Sequence, residues 1–204
     1  MNEVTFLYDF GSPNAYLAHR VLPAVAARTG AVFRYQPVLL GGLFKATNNR
    51  APLVASADIP AKTAYIHREI ARFVRRHAIS AFALNPHFPV NTLMAMRGAV
   101  AAGRLGLGEA YVEALMTAMW EQGLKLDDPA VLGGALAAAG LPAEQLFALA
   151  QDQSVKDELA ANTQAAAERG AFGIPTFLHG AELYFGKDGL FELEADLAGA
   201  GAPR

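Results

Sequence analysis

The 204-residue chain is 53% hydrophobic and carries 17 basic against 19 acidic residues, for a net charge of -2; that is ample for a buried core and leaves no field to hold a polyanion or an anionic membrane. It has no cysteine, which excludes disulfides, thiolate metal sites and redox chemistry on sulfur of its own. The opening MNEVTFLYDF has no basic leader, and no stretch offers the about 20 uninterrupted apolar residues of a membrane helix, so a cytoplasmic protein is expected.

Val4, Phe6 and Tyr8 alternate with smaller or polar neighbours, as strand residues do. Gly11, Ser12 and Pro13 end that strand and open a helix predicted over 13–29, with Ser12 as its cap and Pro13 at its first position. Pro23 is expected to disturb its middle. A capping serine ordinarily spends its oxygen on its own helix, which by itself accounts for Ser12. Its place beside the free N–H groups of a helix start also suits an anion, and that leaves a second role open. Residues 31–38 read as a second strand, parallel to the first because a single helix joins them.

Residues 39–47 predict a short helix and 48–60 a loop. A helix then runs to about 77, capped by Asp58, with Ile66, Ile70, Phe73, Val74 and His77 on one face. After a second loop over 78–90, nearly everything is helical: 91–104, 108–122, 129–139 with Asp128 as cap, a segment from near 142, and 154–169. Residues 173–178 form a short strand, Gly180 a turn, and Leu183, Tyr184 and Phe185 the hairpin partner. A last helix is predicted over 190–197 with Asp188 as its cap. These elements assemble into an α/β protein with one four-stranded mixed sheet. Residues 1–38 and 170–204 form the sheet domain, and 39–169 an all-helical insertion whose last helix, about 154–169, packs on the sheet domain.

The histidines at 19, 67, 77, 87 and 179 show no His-Glu-x-x-His pairing, so no metal site is expected, and they read as surface or satisfied core residues. Ser12 lacks the Gly-x-Ser-x-Gly frame of a hydrolase. Trp120, Met94, Met96, Met116 and Met119 read as core, some lining a cavity between the two domains.

The segments FGSPNAYLA, GGLFKATNNRAP, NPHFPVNTLMAMRGAVAA, FGIPTF and LYFGKDGLFELE, in that order over nearly the whole chain, resemble the bacterial 2-hydroxychromene-2-carboxylate isomerases. Those belong to the thioredoxin-like group of DsbA and the kappa-class glutathione transferases. The resemblance implies a thioredoxin-like fold with an inserted helical domain and a cis bond before Pro175. It implies glutathione as cofactor, with Ser12 contacting its sulfur, Ile174 pairing with the tripeptide next to Pro175, and Phe185, Gly186, Lys187 and Asp188 holding the γ-glutamyl end. Lys45, Asn49, Arg50 and Asn91 fall to the substrate side, where a small aromatic substrate would bind. A homodimer is implied by the family alone. Gly11, Asn48 and Lys187 depart from the family's usual residues. The implied reaction interconverts 2-hydroxychromene-2-carboxylate and trans-o-hydroxybenzylidenepyruvate by reversible thiolate addition. Conjugation in the manner of a kappa-class transferase, and a non-catalytic peptide-binding role, are the alternatives.

Overall fold

The computed structural model describes residues 2–55 and 58–199. Strand β1 (Glu3–Tyr8), helix α1 (Pro13–Thr29) and strand β2 (Val32–Pro37) open the chain. Eight helices follow: α2 (Leu40–Ala46), α3 (Pro52–Ala55), α4 (Pro60–Arg76), α5 (Leu93–Arg104), α6 (Gly108–Trp120), α7 (Pro129–Ala138), α8 (Ala143–Ala150) and α9 (Gln153–Glu168). Strands β3 (Thr176–His179) and β4 (Glu182–Phe185) and helix α10 (Gly186–Gly199) close it.

The sheet order is β2-β1-β3-β4. β1 runs parallel to β2 and antiparallel to β3, which turns back into β4. The two parallel strands follow from the single-helix crossover, and the antiparallel pair from the tight turn at Gly180, whose φ of 58° suits a residue without a side chain. The register sets Phe6 opposite both Tyr35 and Phe177. Its ring stacks on Phe177 at 5.2 Å and meets the edge of Tyr35 at 4.9 Å, the offset and edge contacts that aromatic quadrupoles favour. α1 packs against α10, while α9 packs against β2, α2 and α5. Thr163 of α9 fixes one of these contacts by accepting from the Leu39 N–H at 2.9 Å. Among the helices the core gathers Trp120, Met96, Met116 and Met119, as expected, together with Tyr111 and Leu115, all buried; Met94 is only partly buried.

Four local expectations need correction. α1 runs unbroken through Pro23: the ring falls at an exposed position while Leu22 and Val25 on the packed side stay buried, and that packing outweighs one lost hydrogen bond. The cap of α4 is Ile59, without a side-chain bond, and not Asp58; Pro60 at the first position brings no N–H to satisfy, so a carboxylate there has less to do. Asp188 lies inside the first turn of α10, not before it, because the chain leaves β4 at Gly186, whose φ of 78° makes the turn. Lastly, the loop over 48–60 contains the short α3; its residues 56 and 57 lie outside the described residues.

Candidate active site

The site begins where β1 ends. Ser12 caps α1, its Oγ accepting from the Ala15 N–H at 3.2 Å. The same Oγ donates to the carbonyl of Ile174 at 2.9 Å. The Ile174–Pro175 peptide is cis, as is Phe88–Pro89. Among the described residues nothing accepts from the Ile174 N–H, so one backbone donor stands open beside the serine. The Pro175 carbonyl accepts from the Gly186 N–H at 2.8 Å, which sets the start of α10 against the same turn. In the first turn of α1, Asn14 Oδ1 is buried with no donor among the described residues.

Behind Ser12 lies a residue the sequence reading passed over. Asp9 is fully buried, and its carboxylate accepts from the Gly11 N–H at 2.8 Å, the Leu40 N–H at 2.7 Å and Thr92 Oγ1 at 2.7 Å. It ties the serine turn to the start of α2 and to the cap of α5. Burial pushes its pKa up, and those three hydrogen bonds pull against that. An acidic residue within the apolar run LYDFGSP was the available signal, since a buried carboxylate has to be fully bonded. Trp120, in the core, also donates from its indole to the Phe10 carbonyl at 2.9 Å. The turn carrying Ser12 is therefore held from two sides.

The other expected residues divide. Asn49 is brought in: its amide donates to the Phe172 carbonyl at 2.8 Å, tying the loop after α2 to the segment before Pro175. Phe185 packs on Phe172 at 4.4 Å and covers Gly173, where a Cβ would come within 2.7 Å of the ring. Asn91 sits at the head of α5, its Oδ1 accepting from Leu93 at 3.0 Å, next to Thr92, whose methyl would stand 3.3 Å from a Cβ on Gly11. Lys45 and Arg50 are exposed, and neither side chain bonds to the serine turn. Lys187 turns elsewhere. Only 3% exposed, its Nζ lies 2.6 Å from Glu69 of α4 and 3.3 Å from Asp188, over the face of Phe73. Asp188 keeps an open side chain, 67% exposed.

A βαβ-start, ββα-finish sheet carrying a helix-capping serine against a cis proline defines a thioredoxin-like protein in which serine stands at the head of α1. The chain belongs to the DSBA-like thioredoxin domain family, whose model matches residues 3–198. It is similar to the 2-hydroxychromene-2-carboxylate isomerase of Pseudomonas putida, 27% identical over 194 residues that cover 94% of this chain and 92% of that one. It is also 27% identical to the human glutathione S-transferase kappa 1, over 96% and 90% of the two chains. Among solved structures, a 2-hydroxychromene-2-carboxylate isomerase superposes with a TM-score of 0.83 at 26% identity, covering 97% of this chain and 95% of that one.

Proposed function

We propose that the chain is a glutathione-dependent 2-hydroxychromene-2-carboxylate isomerase. The observation that carries this reading is the bond from Ser12 Oγ to the Ile174 carbonyl beside the open Ile174 N–H. An extended peptide needs a backbone donor and acceptor at an edge, and Ile174 has both, so the residues present fit the tripeptide. Glutathione, when bound, supplies a thiolate able to add reversibly to the alkene of the ring-opened substrate. The chain's own part is to bind that thiol, keep it ionised and position the substrate.

The energetics favour a shared task. Lowering a thiol of reference pKa about 8.5 by ~2 units takes about 2.7 kcal/mol. The start of a helix supplies typically about 0.3–1 kcal/mol and at most ~2. A hydrogen bond to a charged group adds about 1.5–3 kcal/mol, so the helix and the Ser12 hydroxyl together suffice where the helix alone does not. Ser12 has one proton, which it gives to Ile174. To donate to a sulfur it has to release that carbonyl, which then becomes available to an incoming backbone N–H. Binding of the peptide and stabilisation of the thiolate are thus coupled at one hydroxyl. Asp188, exposed in the first turn of α10, suits the γ-glutamyl ammonium, since the Lys187 ammonium 3.3 Å from it lies closer to Glu69, at 2.6 Å. The family resemblance assigns Asn49, Lys45, Arg50 and Asn91 to the substrate carboxylate and oxygens.

The test follows the absorbance of 2-hydroxychromene-2-carboxylate with and without glutathione. Thiol-dependent approach to an equilibrium mixture, with the glutathione recovered, supports the reading. Equal conversion without thiol overturns it. Accumulation of a stable conjugate instead would assign the transferase chemistry named in the human relative.

A further inference from the structure

A cavity of about 730 Å³ among the described residues shares no lining residue with the serine site. It lies between α1, β2 and α6, with Leu22, Pro23, Phe33 and Val112 among its apolar walls, and its volume is in the range of small-molecule sites. Along one wall runs a chain of three polar groups contributed by those three elements. His19 Nδ1 lies 2.7 Å from the Tyr35 hydroxyl and His19 Nε2 lies 3.0 Å from Glu113 Oε2. The other Glu113 oxygen accepts from Arg20 at 2.7 Å, and Arg20 is further spent on Thr117 and Glu121.

The direction of these bonds follows from charge. Burial works against ionisation of Glu113, but hydrogen bonds from Arg20 and His19 outweigh it and hold its carboxyl below the usual carboxylate range. Burial also holds His19 below the usual imidazole range, so the ring is neutral at pH 7. A neutral ring facing a carboxylate through Nε2 carries its proton there, leaving Nδ1 as an acceptor. Tyr35 must then donate to Nδ1, and its oxygen keeps only lone pairs for the cavity.

We propose that this cavity is a second small-molecule site, built for a phenol of one or two rings whose O–H donates to Tyr35 Oη while its rings lie against Phe33, Leu22 and Val112. An anionic ligand is disfavoured. Arg20 is neutralised by Glu113 and Glu121, Arg34 is drawn to Glu3, and Glu109 and Glu113 both line the space. Apolar lining with an oriented acceptor at Tyr35 and carboxylates at its rim selects a donor-bearing aromatic.

The test titrates the full chain with 2-naphthol and follows naphthol fluorescence together with the imidazole nitrogens of His19 by NMR. One saturable site that shifts both His19 nitrogens is expected. 2-Methoxynaphthalene, which has no donor, should bind about tenfold more weakly, as should the naphthol to Tyr35→Phe, the order of one hydrogen bond. Ser12→Ala should bind naphthol as the parent does. Ala26→Phe, which fills the cavity from α1, should abolish binding even if Tyr35→Phe fails to fold. Equal affinity for both naphthalenes, or loss of binding in Ser12→Ala, overturns the proposal. So does failure of naphthol to bind a dimer that Tyr35→Arg splits into monomers, since a second copy of the chain would then cover the cavity.

Discussion

The hydroxyl of Ser12 donates to the carbonyl of Ile174 across 162 positions of sequence. That bond joins the head of the first helix to the turn entering the third strand. It gives the hydroxyl two partners, the Ala15 N–H and the Ile174 carbonyl, so the side chain is held in place before any ligand arrives. Donation to a sulfur then needs only a turn of that one O–H, with an incoming backbone N–H replacing it on the Ile174 carbonyl.

Ser12→Ala removes the donor and leaves the helix otherwise intact. Turnover at saturating glutathione should fall by about two orders of magnitude or more. Stability should fall by only about 1–2 kcal/mol, through the lost cap and an Ile174 carbonyl left without its donor. Steady-state rates and a denaturant melt on the same preparation separate the two effects. Near-parental turnover would remove Ser12 from the chemistry.

The Lys187–Glu69 pair should respond asymmetrically. Lys187 is almost wholly covered while Glu69 keeps 22% of its side chain exposed. Glu69→Ala leaves the buried ammonium over Phe73 with only its longer 3.3 Å contact to the exposed Asp188, whereas Lys187→Met keeps the volume and removes the charge. Removing the partner of a buried charge costs at most about 3–5 kcal/mol, less with a second carboxylate in reach, and apolar replacement is often close to neutral. Urea unfolding of both variants should therefore place Glu69→Ala well below Lys187→Met; the reverse order would show that the ammonium is not confined as described.

Gly98 is a packing constraint. A Cβ there would come within 2.1 Å of Tyr111 Oη and 2.8 Å of its Cζ. Tyr111 cannot swing aside, since it is 1% exposed and its hydroxyl donates to Ala95 at 2.9 Å. Gly98→Ala should cost about 1–3 kcal/mol by overpacking, a fall of several degrees in melting temperature at this chain length. Adding Tyr111→Phe removes the clashing oxygen, so the double variant should lose less than the sum of the singles.

The opening βαβ unit and the closing hairpin were legible because their signals are local: the alternation around Phe6, the Ser12-Pro13 start, and Gly180 between two short apolar runs. The helical block was legible from periodicity to within about two residues at most ends, the usual fraying of such limits. What the residues alone could not give was long-range pairing. That Ser12 meets Ile174 was readable only through resemblance to a family. Asp9 meeting Leu40 and Thr92, or Lys187 meeting Glu69, depends on how separate elements dock, and no spacing rule encodes that. His19, Tyr35 and Glu113 come from three elements in the same way, and a lone histidine in a helix gave no hint of its partners.

The pH dependence of stability should show two descents. Burial holds the folded pKa of His19 and of His77 below the usual 6.5, with Arg76 and Arg28 adding to the effect at His77. As pH falls through 6.5 the unfolded chain takes up protons that the folded chain refuses, so stability drops. Asp9 works in the opposite direction, because burial raises its folded pKa above 3.8. The second descent begins below about 4.5. Glu113 and Glu194 are held below that usual value by their arginine partners despite partial burial, and protonation of the unfolded state then outruns that of the folded one. His77 isolates the first descent, since its Nε2 has no partner among the described residues and its ring lies against Phe73 and Phe191. His77→Phe keeps the stacking and removes the titration, so its melting temperature should change less than the parent's between pH 7.5 and 5.5. Identical slopes for parent and variant over that interval would mean that His77 takes up its proton as readily in the folded chain as in the unfolded one.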